Sequence, residues 1–232
     1  MAELNADQNP VQPGDPMTEP QIDFQATAPA VTDYTNGSRQ VRFVAIQHIA
    51  LAAFYDAAIA VVREAQRDGY IHFYEFVDMY RLDDIGQRKV RRLTQFMPMP
   101  DVYEELAQAL GQQLGLPLVA QQFDAFIGLV NDTDVNADLA PEDFLRRVET
   151  AIGPIELTQE DLDTPISEAV SQGIPQERWM PAVLDGRNAN LAAMVHASEH
   201  ERIVITYGAA HEPGWFSEMQ KLDPSWGRVT PA

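Results

Sequence analysis

The sequence predicts an α/β protein in which a mixed, largely parallel central sheet is flanked by helices, with a helical insertion in the middle. Three observations predict it. A β-branched run at residues 41–47, an amphipathic segment at 51–67 and a second apolar run at 70–77 follow one another at the spacing of a strand, a helix and a parallel strand. A third apolar run, residues 202–207, follows a long helical segment near the far end. The first and last runs each stop at a histidine, His48 and His211, so two parallel strands are expected to deliver two imidazoles to one rim.

Residues 1–38 carry Pro10, Pro13, Pro16, Pro20 and Pro29 among polar and acidic side chains. Such a segment buries too little apolar surface to offset its ordering entropy. An extended or disordered tail is therefore expected over 1–38, available to contact another protein or subunit, with a single folded domain over 39–232. In the helix at 51–67, Phe54, Ala58, Val61, Val62 and Ala65 share one side, and Asp68-Gly69 ends it. The strand at 70–77 alternates, setting Tyr70, His72, Tyr74 and Phe76 against Ile71, Phe73, Glu75 and Val77. Next, Val102, Leu106, Leu110 and Leu114 recur every four residues and mark a helix stopped by Gly115 and Pro117. Residues 118–122 predict a short strand. Pro141 opens a helix whose positive end suits Glu142 and Asp143. Thr158-Gln159-Glu160-Asp161 has the pattern of a capping box. Residues 181–198 form a longer helix carrying Arg187 and Asn188, and a helix at 214–222 with a short strand at 228–230 closes the chain.

A chain of 232 residues with 45% hydrophobic content can bury a substantial core. It contains no cysteine, which excludes disulfides, thiolate metal sites and cysteine nucleophiles. The formal net charge of −19 opposes nucleic acid and anionic membrane surfaces as partners. Its start lacks a basic region followed by an apolar one, and no run approaches the roughly 18 apolar residues that a membrane span requires. A cytoplasmic location is expected.

Glu75 stands in an apolar row near a strand end. An unpaired buried carboxylate costs several kcal/mol, so a cation is expected beside it, either a metal ion or an arginine such as Arg187 or Arg81. With His48 and His211 it would complete a two-histidine, one-carboxylate set suited to Mn²⁺, Co²⁺ or Zn²⁺. Other signals are weaker. His196-Ala197-Ser198-Glu199-His200 matches an inverted zincin pattern but falls in the last turn of a helix, where the dipole favours histidine. The acidic stretch from Asp132 to Asp138 lacks the central glycine of a calcium loop, which leaves a solvated loop or one that contributes Asp138 to the rim. Arg81, Arg88, Lys89, Arg91 and Arg92 are expected to neutralise nearby carboxylates. No Gly-x-Ser-x-Gly elbow supports serine hydrolysis.

His48 in Ala45-Ile46-Gln47-His48-Ile49, Phe54-Tyr55, Gly69-Tyr70, Tyr74-Glu75, Leu116 with Gln121, Arg187-Asn188, and Gly208-Ala209-Ala210-His211 before Pro213-Gly214 occur in one order. In that order the chain resembles the TraB/PrgY/GumN/Tiki family, which is similar to erythromycin esterase and ChaN-like proteins. The resemblance covers about residues 40–230 and rests on a histidine motif at each end and one intervening glutamate. It implies an α/β fold with hydrolysis of a small peptide or ester at His48, Glu75 and His211. Arg187 would stabilise developing negative charge, with Asn188 and Gln121 in support, and the acidic loop read above would add Asp138. It further implies a divalent metal on His48, Glu75 and His211, or a metal-free variant with His48 as general base. One departure is Ala45, where the first motif has glycine; if that position needs glycine's backbone freedom, the site is weakened. A non-catalytic module that binds a peptide or an anion on the same rim is the alternative.

Overall fold

The computed structural model describes residues 22–98, 100–130 and 132–230. Its strands are β1 (Val31–Thr35), β2 (Gln40–Ile46), β3 (Ile49–Leu51), β4 (Ile71–Tyr74), β5 (Leu118–Ala120), β6 (Val135–Asn136), β7 (Arg202–Gly208) and β8 (Gly227–Arg228). Six of them form one sheet in the order β6-β4-β7-β2-β1-β8, while β3 and β5 pair antiparallel in a separate two-stranded sheet. The run β6-β4-β7-β2 is parallel, and β1 and β8 add antiparallel. The fold is thus the expected mixed, largely parallel α/β sheet.

Two expectations are corrected. The first and second predicted strands, β2 and β4, do not pair with each other, because β7 lies between them and pairs in parallel with both. The reason is burial: Ile203, Val204 and Ile205 are wholly inaccessible, and a strand apolar on both faces is most stable at the centre of a sheet. The folded domain also begins before Arg39. Residues Val31–Thr35 form β1, anchored by Tyr34, whose ring stacks edge-on against Trp215 and whose hydroxyl donates to Glu212 Oε1 at 2.7 Å. Residues 1–21 of the expected tail lie outside the described residues.

Helices cover both faces: α1 (Ala52–Arg67), α2 (Asp84–Thr94), α3 (Pro100–Leu114), α4 (Pro141–Ile152), α5 (Gln159–Asp163), α6 (Gln176–Ala197) and α7 (Glu212–Leu222). One face of the sheet, through Val41, Phe43, Phe73, Ile205 and Tyr207, packs against Leu191, Val195, Trp215 and Met219 of α6 and α7. The other, through Val44, Ile46 and Val204, packs against Phe54, Ala58 and Val62 of α1. The helical insertion has a core of its own, in which Val90, Leu93, Phe144 and Val148 meet Trp179 and Val183 from the first half of α6. Arg91 is fully buried there and donates to the carbonyls of Asp161, Thr164 and Glu168, while Lys89 pairs with Glu149. Arg88 and Arg92 also donate to backbone carbonyls of the insertion, so four of the five basic residues are spent internally, whereas Arg81 is exposed. The capping box at Thr158 forms as expected. Among the described residues, no helix is long and apolar enough to cross a membrane.

Candidate functional site

Because β2 and β7 run parallel with Ile46 opposite Gly208, the turns that follow them leave the sheet side by side. His48 stands two residues past β2, and His211 ends the single 3-10 turn Ala209–His211 past β7. Glu75 directly follows β4, its N–H still bonded to the Thr206 carbonyl at 3.1 Å. It has the parity of Phe73, so it points to the face covered by α6, from which Arg187 reaches it. The rim expected from the sequence exists and brings all three elements together.

Glu75 has neither oxygen free. Oε1 accepts from Arg187 Nη2, and Oε2 accepts from the Gly208 N–H. Burial pushes this carboxyl up, but the neighbouring Arg187 guanidinium, with His48, His211 and the Gly208 N–H, outweighs it and holds the group down at about 2. Arg187 is also gripped by Asp138, through Nε to Oδ1 at 2.9 Å and through Nη2 to Oδ2. The Asp138 side chain is inaccessible, so the expected rim loop does supply it. Arg187 Nη1 has no hydrogen-bond partner among the described residues.

Each imidazole is fixed by a side-chain amide. His211 Nδ1 lies 2.7 Å from Asn188 Oδ1, and His48 Nδ1 lies 3.0 Å from Gln121 Oε1. An amide oxygen only accepts, so Nδ1 carries the hydrogen in both rings, and a neutral ring held this way has its lone pair on Nε2. Neither Nε2 has a partner among the described residues. Burial, with Arg187 beside it, lowers His211 to about 4, so its ring is neutral at pH 7. Gln121 also donates its backbone N–H to the His48 carbonyl at 2.9 Å, which ties β5 to the turn.

The motif glycines have steric causes. A Cβ on Gly208 would stand 3.2 Å from Glu75 Oε2 and 3.4 Å from His211 Cδ2, so the carboxylate and the imidazole share the space that glycine leaves. A Cβ on Gly214 would stand 2.1 Å from Asn188 Nδ2 and would evict the amide. Ala45 is different. It lies inside β2 opposite Tyr207, and Gln95 is the only non-glycine residue with positive φ among those described. No left-handed turn is needed at Ala45, so alanine carries no backbone strain there.

Four residues escaped sequence reasoning about the site. Tyr103 and Phe123 flank His48, with ring centroids 5.7 and 6.0 Å away, and Phe76 stacks on Phe123. Tyr207 meets His211 edge-on at 4.8 Å beneath the Arg187 guanidinium, and its buried hydroxyl makes no well-formed hydrogen bond. The available signal for Tyr207 was a tyrosine ending an otherwise aliphatic run, one residue before the second histidine motif.

The residues do not fit the expected metal. Among the described residues, no three His, Asp or Glu side chains are grouped so as to hold an ion, and Glu75 is committed to Arg187 and Gly208. The arginine alternative raised by the sequence is the one realised. The acidic stretch is only partly solvated: Asp132 and Asn136 are exposed, but Asp134 accepts from Gln66 Nε2 at 2.7 Å and lies 3.0 Å from His72 Nδ1, whose ring in turn places Nε2 2.8 Å from Thr206 Oγ1. The chain matches no family model, and no curated protein or solved structure matches it.

Proposed function

We propose that the chain hydrolyses an ester or amide bond without a metal, using His48 as the general base. The carrying observation is the pair of imidazoles pinned through Nδ1–H by Gln121 and Asn188, which leaves two basic Nε2 atoms at adjacent strand ends beside an ionised Glu75. His48 is the half-exposed one and the one a substrate reaches. Its Nε2 takes a proton from water, and the resulting hydroxide adds to the substrate carbonyl carbon. The imidazolium formed is stabilised by Glu75, much as a buried carboxylate serves the histidine of a hydrolytic triad. His211, neutral and accepting through Nε2, holds the second hydrogen of that water. Arg187 offers Nη1 to the oxyanion. Collapse of the tetrahedral adduct breaks the bond to the leaving oxygen or nitrogen, which takes the proton back from His48.

The test is turnover of p-nitrophenyl acetate by the full chain and by His48→Ala, with folding verified by circular dichroism. The variant is expected to lose about 10² to 10⁴ in kcat, the usual worth of a general base. The wild type is expected to keep its activity after dialysis against a chelator. Equal rates in the two proteins reject the reading, and activity lost to the chelator and restored by Mn²⁺ replaces it with metal-dependent hydrolysis.

A further inference from the structure

A cavity of about 560 Å³ opens between α1, α3 and β5, on the far side of the wall that holds His48. Ile59, Ala107, Leu118 and Ala125 give it an apolar lining, and the exposed carboxylates of Asp56 and Glu104 stand at its edge. Asp56 has no hydrogen bond or ion pair among the described residues, and Glu104 accepts only one 3.3 Å contact, from Gln122 Nε2. Two carboxylates therefore face an apolar trough with no counter-ion.

The wall is shared with the candidate site. Tyr55 lines the cavity while its hydroxyl donates to the Gln47 carbonyl at 2.9 Å, one residue before His48. On α3, Tyr103 faces His48 and the next residue, Glu104, faces the cavity. On the segment after β5, Gln121 holds the imidazole while its neighbours Ala120 and Gln122 line the cavity. A chain that enters the cavity thus runs beside the elements that orient the proposed base.

We propose that this trough binds a short cationic, apolar peptide segment, behind the wall that carries the proposed base. Apolar side chains would bury against the aliphatic lining, and lysine or arginine would meet Asp56 and Glu104. Other occupants fit poorly. Residues 1–21 of this chain contain Glu3, Asp7, Asp15 and Glu19 with no lysine or arginine, and a second copy brings a net charge of −19 to a carboxylate-lipped trough.

The probe is a fluorescein-labelled hexapeptide amide of alternating leucine and lysine, with a leucine–glutamate peptide as control, titrated by fluorescence anisotropy. The full chain is used as wild type and as His48→Ala, so that binding is read whether or not the peptide is cut. The lysine peptide is expected to bind both proteins at least tenfold more tightly than the glutamate peptide. Joint Asp56→Lys and Glu104→Lys changes, both at exposed positions, are expected to weaken it at least tenfold, and Ala52→Trp, which fills the trough from its lip, to do the same. Equal affinity for the two peptides, no binding of the lysine peptide up to about 1 mM, or unchanged affinity in both groove variants overturns the proposal. Binding without cleavage upholds the trough, and the hydrolytic reading stands or falls separately on the ester assay.

Discussion

Replacing His211 with glutamine is the sharpest probe of the buried imidazole. In the folded chain, burial and then Arg187 lower His211 from 6.5 to about 4, whereas in the unfolded chain it titrates at its ordinary value. A histidine held neutral in this way contributes its full stability above about pH 6.5. As pH falls from there towards 4 the unfolded state takes up a proton that the native state refuses, and stability drops. At 1.36 kcal/mol per pKa unit, this linkage amounts to about 2 kcal/mol between pH 7.5 and pH 5. The ring is only 4% accessible, so little of that is lost to solvent screening. Urea unfolding at pH 7.5, 6 and 5 should show the wild type losing about 2 kcal/mol more than His211→Gln across the interval. Carboxylates titrating in the same range act in both proteins and cancel in the difference. Parallel pH profiles for the two proteins would refute the claim that His211 is buried and neutral.

Three further outcomes follow from the same contacts. Gly208→Ala pushes a methyl group against Glu75 Oε2 and His211 Cδ2, and should lower ester turnover about 10- to 100-fold, the worth of one charge-assisted hydrogen bond, with a smaller change in thermal midpoint. Arg187→Met strips the cation from Glu75 and Asp138 together and should cost about 3 to 5 kcal/mol at pH 7 by chemical denaturation. That deficit should shrink as pH falls below about 4.5, because the wild type then loses the benefit of a carboxylate held at about 2. Asp134→Ala leaves the Gln66 amide, the Gly128 N–H and His72 Nδ1 without their acceptor, and should cost about 3 kcal/mol while raising amide hydrogen exchange across residues 128–134.

What the sequence made legible was set by local chemistry. The apolar run ending in Gly208 before a histidine marked a buried strand with a polar exit, and the four-residue repeat from Val102 to Leu114 marked a helix, although Leu106 and Leu114 are exposed and Ala107 is the buried side chain. Glu75 in an apolar row demanded a cation, and Arg187 is that cation. β1 escaped because Tyr34 is its only buried side chain, so nothing in Val31–Thr35 reads as apolar periodicity. The central place of β7 escaped because strand order is a long-range property that neither strand's own residues encode. The pairing of His72 with Asp134 escaped for the same reason: the two lie 62 residues apart, and an aspartate in an acidic loop looks solvated until a sheet closes over it.

The charge on the floor of the rim bears on which substrates it can accept. Among the carboxylates and the guanidinium, Glu75 and Asp138 outnumber Arg187 by one, and all three are largely buried, so solvent does little to screen the excess. A carboxylate or phosphate brought to this floor meets a negative field from two directions. The guanidinium is already spent on internal partners along Nε and Nη2, leaving Nη1 to face charge that appears only when a carbonyl is attacked. In the proposed reaction, a proton accepted by His48 would offset that excess, which favours the activated state over the resting one. An anion-binding role for the same rim would need the opposite balance, with the arginine free and the carboxylates absent. Neutral or cationic substrates suit the floor for the same electrostatic reason that a lysine-bearing segment suits the trough behind it.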